Sequence, residues 1–87
     1  MSKPTRATKY IHEAAKRVRD GGITVDYDSA FETVAIDAPD QEGVFMQGHE
    51  AADFINEVEA LCRRFPSLDS DTAALALAEP IAECIFN

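Results

Sequence analysis

Three carboxylates, Glu50, Asp53 and Glu57, recur at spacings of three and four residues. On a helix this spacing places them in one row along a single face, which we call the acidic ridge. Like charges in such a row lower helix stability by about 0.2–0.5 kcal/mol per pair, so folding does not require them. The chemistry of this row is the binding of cations, which predicts contact with Lys and Arg of a partner. The alternative interpretation is that these residues form a solvated acidic face, which favours solubility without binding a partner.

Further carboxylates precede the acidic ridge and extend the predicted partner-binding surface. They are Asp26, Asp28, Glu32, Asp40 and Glu42. If these residues and the ridge share one side of the molecule, their field resembles that of duplex DNA, which carries one negative charge per about 1.7 Å of axis. A protein groove that binds phosphates would attract such a surface. The pattern therefore predicts a decoy for nucleic acid.

Charge is divided unevenly along the chain, whose net charge is −8. Residues 20–62 carry eleven acidic side chains and no Lys or Arg, whereas residues 1–19 carry six of the eight basic groups. Such an asymmetry concerns partners and association rates rather than the fold, so it favours a binding function. Direct contact with nucleic acid is not expected, because the net charge repels phosphates and only Tyr10 offers a stacking ring among the basic residues.

Side chains that catalyse reactions elsewhere lack the necessary surroundings here. Ser29, Ser67 and Ser70 lie where turns and helix caps use serine, and no strained glycine elbow surrounds them. The four glycines match neither common phosphate-binding pattern. His12 and His49 lie on separate predicted helices, without metal-ligand spacing. We expect no enzyme, no metal site and no cofactor.

The two cysteines, Cys62 and Cys84, lie 22 residues apart without a CxxC spacing or a neighbouring His. This predicts two reduced, buried and inert thiols. The basic first ten residues precede no apolar run, so neither a secretory signal nor a membrane span is expected. The predicted location is the cytoplasm.

The first predicted helix begins near Pro4 and ends at Asp20-Gly21-Gly22, with an apolar stripe of Ala7, Ile11, Ala14, Ala15 and Val18. Alternation then predicts a strand over residues 23–28, and branched and aromatic residues predict a second over 31–37. A tight turn around residues 28–30 joins these two strands. Residues 38–43 are predicted as a polar turn, and residues 44–47 as a short third strand.

The clearest period runs from His49 to a predicted end near Arg64, since Pro66 follows. Asp69, Ser70 or Asp71 is predicted to cap the last helix. The buried side of that helix is predicted to carry Ala74, Leu77, Ala78, Ile81 and Ile85. Because proline removes a helical hydrogen bond, we expect a kink or a split at Pro80.

This order of elements predicts one α+β domain over residues 1–87, with residues 1–5 flexible. A small three-stranded antiparallel sheet is preceded by one helix and followed by two, and the helices pack on one face of the meander.

The size, charge and layout of residues 20–87 resemble those of small phage- or prophage-encoded accessory proteins. Among these, the chain resembles the anti-CRISPR proteins in particular. The segments that carry the resemblance are the hairpin, GVFMQGHEAADFINEVEAL as strand, turn and helix, and the apolar end over residues 81–86. The resemblance implies a non-enzymatic inhibitor of a bacterial nucleic-acid-handling complex, such as a CRISPR effector, in the host cytoplasm. It carries no functional residue over by motif.

The expected function is accordingly a stoichiometric inhibitor. Its carboxylates would contact the basic surface of a host nucleic-acid-binding protein and compete sterically and electrostatically. The alternative is a self-associating regulatory or structural module. Its interface would combine the apolar segment over residues 81–86 with the basic first helix, which would make a homodimer.

Overall fold

The computed structural model describes the backbone of residues 6–86 and the side chains of residues 8–84. Its elements are, in order, α1 (Arg6–Asp20), β1 (Thr24–Asp28), β2 (Thr33–Ala38), β3 (Gln41–Gln47), α2 (His49–Arg64) and α3 (Ser70–Phe86). The predicted α+β class is confirmed. The flexible start predicted for residues 1–5, and the side chains of Ala7 and Ile85 in the predicted stripes, lie outside the described residues.

The strands form an antiparallel meander in the order β1-β2-β3. Side chains alternate between its two faces, and Val34 and Ile36 at its centre are fully buried. Helices cover that face only. We call the other one the open sheet face; its residues are Thr24, Asp26, Asp28, Thr33, Ala35, Asp37, Phe45 and Gln47.

The loop between β1 and β2 is organised by the carboxyl group of Asp28. Its Oδ1 accepts hydrogen bonds from the backbone N–H groups of Ala30 at 2.9 Å and Phe31 at 3.3 Å. Glu32 follows with a φ of 52°, in the left-handed region that a turn requires. Strand β2 therefore begins at Thr33 and not at Phe31 as predicted, because the turn uses Glu32 together with Phe31, whose residue type favours a strand.

The loop between β2 and β3 is shorter than predicted. Ala38 pairs with Gln41, so only Pro39 and Asp40 lie outside the ladder. The polar turn expected over residues 38–43 was wrong in extent, and β3 begins three residues before the predicted Val44. The polar composition of this segment did not indicate a strand. Gln41 and Glu42 lie at the start of an edge strand, and the side chains of both face water.

A register shift interrupts the β2–β3 ladder between Ile36 and Ala38. At this bulge Gly43 approaches β2 so closely that an added Cβ would lie 2.5 Å from Asp37 Oδ1 and 2.8 Å from the Ile36 carbonyl oxygen. Only glycine fits there. The close approach places the Asp37 carboxylate over β3.

Helix α2 has the bounds that its period predicted. Gly48 at its start has φ 66° and ψ −137°, a combination open to glycine alone. Its buried residues, Ala51, Phe54, Ile55 and Val58, join Val34 and Ile36 of the sheet in the main hydrophobic cluster. The helix closes with a hydrogen bond from Phe65 N to Leu61 O, before Pro66.

Helix α3 begins after Asp69, whose carboxyl Oδ1 accepts a hydrogen bond from Thr72 N at 3.1 Å. This is an N-cap, one of the three predicted alternatives. The helix then runs as one element through Pro80 and is not split there.

Helix α3 lies between α1 and α2 and packs on both, with β1 beneath it. Ala74 and Ala78 are buried as predicted, and Leu77 and Ile81 are half-buried. A second side is buried as well, because α1 packs against α3 through a separate cluster of Ala15, Val18 and Leu75. The molecule is thus a helix layer on a sheet, with Cα extents of 42 × 28 × 15 Å.

Candidate partner-binding surface

All eight predicted partner-binding carboxylates lie on the surface. They are Asp26, Asp28, Glu32, Asp40, Glu42, Glu50, Asp53 and Glu57. The other acidic residues of segment 20–62, namely Asp20, Asp37 and Glu59, are exposed too. Exposure of a carboxylate is ordinary. What distinguishes a binding surface is therefore the position of these groups and whether cations of the same chain neutralise them.

The acidic ridge lies on the solvent side of α2. Glu50, Asp53 and Glu57 are exposed, while the opposite side of the helix packs into the core. Glu50 lies in the first turn, where the helix dipole favours a negative charge. Glu57 lies two turns further on and lines a shallow groove of 220 Å³ with Leu61, Arg64 and Leu77.

The predicted residues before α2 belong to the sheet and its loops. Asp26 and Asp28 lie on the open sheet face, and Glu32 lies in the hairpin loop. Asp40 is in the two-residue turn and Glu42 is in β3 beside the bulge. Asp28 also has a structural role, since its carboxyl group organises the hairpin loop.

The structure does not gather these carboxylates on a single side. Helix α2 packs against the covered face of the sheet, so the acidic ridge and the open sheet face belong to opposite layers. The condition on which the decoy prediction depends, that strand and helix carboxylates share one side, is therefore not met. One flat partner surface could contact either layer but not both.

Cations of the same chain leave this acidic segment unneutralised. Arg17 of α1 pairs with Glu79 of α3, with Nε to Oε2 at 2.7 Å and Nη2 to Oε1 at 3.1 Å. This pair raises the pKa of Arg17 and lowers the pKa of Glu79, mainly through the shared hydrogen bond. Glu79 lies outside segment 20–62. Among the described residues, no carboxylate of that segment forms an ion pair.

The described basic side chains of α1 other than Arg17 form an exposed row of their own. Lys9, His12, Lys16 and Arg19 are exposed and recur at spacings of three, four and three residues. With Arg17 engaged by Glu79, this row is the free positive surface of the helix. The apolar part of the self-association hypothesis rests on Ile85 and Phe86, whose side chains lie outside the described residues.

Sequence reasoning missed two residues of the open sheet face, Asp37 and Phe45. Phe45 is 63% exposed although its neighbours Val44 and Met46 are half-buried. The alternation of VFMQ contained the signal, because a sheet covered on one face must turn every second residue outward.

The structure differs from the sequence prediction in the burial of the two thiols. Both cysteines are free, and Cys62 is half-buried, but Cys84 is exposed on α3. The prediction of two buried thiols was wrong for Cys84, because α3 is covered on its flanks and not around its whole circumference. No group of three or more metal-ligating side chains occurs in the described part of the chain.

No family model, curated protein or solved structure matches this chain. The helices within residues 6–86 are too short or too polar for any of them to cross a bilayer. The candidate surface must therefore be interpreted from its own chemistry.

Proposed function

We propose that this protein is a non-enzymatic binding protein, and that carboxylates of one of its two layers, among those between Asp20 and Cys62, contact a basic surface of another protein. The observation that supports this proposal is their exposure without an ion-pair partner among the described residues. A surface of unneutralised charge attracts the opposite charge over a distance of about 8 Å at physiological ionic strength. It raises the association rate with a basic partner more than it stabilises the fold.

The proposed target is the phosphate-binding surface of a bacterial nucleic-acid-handling complex. This part of the proposal rests on the resemblance in size, charge and layout to small phage-encoded accessory proteins of the anti-CRISPR kind. By occupying a basic groove, the protein would exclude nucleic acid sterically and electrostatically. The cytoplasm of the host would be its place of action.

Charge reversal on one layer tests the proposal. The Asp53→Lys/Glu57→Lys double variant should leave the fold intact, because both side chains are exposed on the solvent side of α2. If the ridge is the contact, association with the captured partner weakens by about tenfold or more at low salt, and its dependence on salt becomes flatter. The measurement is capture from bacterial lysate at low and high salt, followed by titration of the identified partner.

Matched variants separate local contact from net charge. Asp26→Lys/Asp37→Lys makes the same change on the open sheet face, and Glu13→Lys/Glu83→Lys makes it outside segment 20–62. Loss of binding in either of the first two double variants, but not in the third, supports the proposal. Binding that is unaffected by both, or that resists high salt, overturns it.

A further inference from the structure

The open sheet face combines an aromatic ring with carboxylates in one row of the ladder. In the register, Asp26 of β1 pairs with Ala35 of β2, and Ala35 pairs with Phe45 of β3. Neighbouring strands are about 4.8 Å apart, so roughly 10 Å separates the backbones that carry Asp26 and Phe45. Ala35, whose side chain is small, lies between them.

The carboxylate of Asp37 lies near the same row of the ladder. Asp37 follows Ala35 by two residues, which makes it a diagonal neighbour of Phe45 at about 7–8 Å. Its Oδ1 lies over Gly43, two residues before Phe45 on the same strand. The carboxylates of Asp26 and Asp37 accept no hydrogen bond and form no ion pair in the described part of the chain.

Folding alone does not account for Phe45 at this position. The ring is 63% exposed, and its cross-strand partner is an alanine, so it gains little packing within the sheet. Helices within residues 6–86 cover only the other face. The aromatic ring thus stays available to a partner, with the carboxylates of Asp26 and Asp37 both on its β2 side.

A guanidinium group matches this arrangement better than an ammonium group does. It is planar and stacks on an aromatic face, while its N–H groups point outward in the plane toward carboxylates. An ammonium group can pair with the carboxylates but does not stack. Within the described residues, the Arg64 guanidinium makes a cation–π contact of this kind, with Cζ 5.7 Å from the centroid of the Phe65 ring.

We propose that the open sheet face binds an arginine side chain of the basic partner, stacked on Phe45 and paired with Asp26 and Asp37. This inference rests on the proposed function in taking a basic protein as the partner. It adds two points to that function. The open sheet face, rather than the acidic ridge, makes the contact, and the residue type that it recognises is arginine. Charge complementarity favours this occupant, since the face carries carboxylates and no cation.

The test compares nona-arginine and nona-lysine peptides of equal charge by isothermal titration. The wild-type protein should bind nona-arginine more tightly by about two- to fivefold, the affinity ratio expected of one exposed stack. Phe45→Ala should abolish this preference and leave the affinity for nona-lysine unchanged. Phe45→Leu should do the same, since it keeps an apolar side chain of similar bulk without the aromatic face.

Isosteric neutral variants serve as charge controls. Asp26→Asn/Asp37→Asn should weaken the binding of both peptides. Asp53→Asn/Glu57→Gln makes the same change in net charge and should leave the ratio of the affinities for nona-arginine and nona-lysine as in the wild type. Tyr10→Ala removes another exposed ring, 69% accessible on α1, and should also leave the ratio unchanged.

Equal affinity for the two peptides, or a preference that survives Phe45→Ala, overturns this inference. If the lysate partner then still binds in a salt-sensitive way, the proposed function stands and another part of the acidic surface makes the contact. Conversely, an arginine preference without any basic partner captured from lysate would contradict the proposed function and leave the peptide-binding face in place.

Discussion

At the scale of single residues, Asp69 shows how one carboxylate contributes to the fold rather than to binding. It accepts hydrogen bonds from Thr72, whose side chain and backbone N–H lower the pKa of the Asp69 carboxyl. Among the carboxylates of segment 20–62, only that of Asp28, in the hairpin loop, accepts hydrogen bonds from described residues. The two roles can be separated by mutation.

Replacement of Asp69 by Ala is expected to lower the free energy of unfolding by about 1 kcal/mol, the ordinary effect of removing an N-cap. Asp71→Ala, which removes an acidic side chain from the first turn of the same helix, should cost less, since it breaks no cap hydrogen bond. Urea denaturation of both variants measures the difference. Equal losses would show that the dipole, and not the cap, carries the effect.

The same cap makes stability depend on pH in a defined direction. Because the folded pKa of Asp69 lies below its unfolded value, the stabilisation is complete above the unfolded pKa, near 4, and is lost as the pH falls through the folded pKa. Asp69→Asn retains a capping oxygen but cannot titrate. The stability gap between wild type and this variant should therefore narrow on acidification.

At the scale of elements, α3 is the least regular in its sequence. Pro80 lies within the helix, lacks the N–H that would bond to the Ala76 carbonyl and places its ring against that carbonyl. The helix nevertheless extends to Phe86, because Ala73, Ala74, Ala78 and Ala82 are buried between its neighbours. Tertiary packing here overrides local propensity.

Replacement of Pro80 by Ala is expected to raise the free energy of unfolding, by at most about 3 kcal/mol. The gain is reduced by about 0.4–1 kcal/mol because alanine leaves the unfolded chain less constrained. Pro80 is exposed, so no core packing is lost. Pro66→Ala, at an exposed loop position, is the control and should bring no gain. A Pro80 variant no more stable than the Pro66 variant contradicts the expectation.

At the scale of the whole molecule, self-association is the alternative to a foreign partner. The exposed row of Lys9, His12 and Lys16 on α1 has the same spacing as the acidic ridge on α2, so two copies offer each other complementary helices. The net charge of −8 on each copy opposes their encounter. Association with a basic partner and pairing of α1 with the acidic ridge of a second copy therefore both depend on the salt concentration.

We expect a monomer, because the net repulsion acts over the whole surface while the complementary rows are solvated and screened. Sedimentation equilibrium at about 0.05 M and about 0.5 M salt measures this, the two conditions corresponding to weak and strong screening. A dimer at low salt that dissociates at high salt, and that Lys9→Glu/Lys16→Glu abolishes, would favour a homodimer in which α1 pairs with the acidic ridge of a second copy.

The amino-acid sequence determined the helices and the class of the fold, because helical period, capping residues and proline stops act between residues close in the chain. It determined α2 from His49 to Arg64 and the α+β order in this way. Strand ends were less predictable. The loop at Asp28 and the bulge at Gly43 depend on pairing across strands, which residue types such as Phe31 and Glu42 do not reveal.

Only the tertiary structure decided how the charged groups are arranged in space. Whether Glu57 and Asp26 share a face depends on which side of the sheet α2 packs against, and that choice comes from contacts between residues far apart in the chain. The same choice exposes Phe45 and buries Val34. The number and sign of the charges are local properties of the chain, but a surface is created only when packing selects which side chains remain outside.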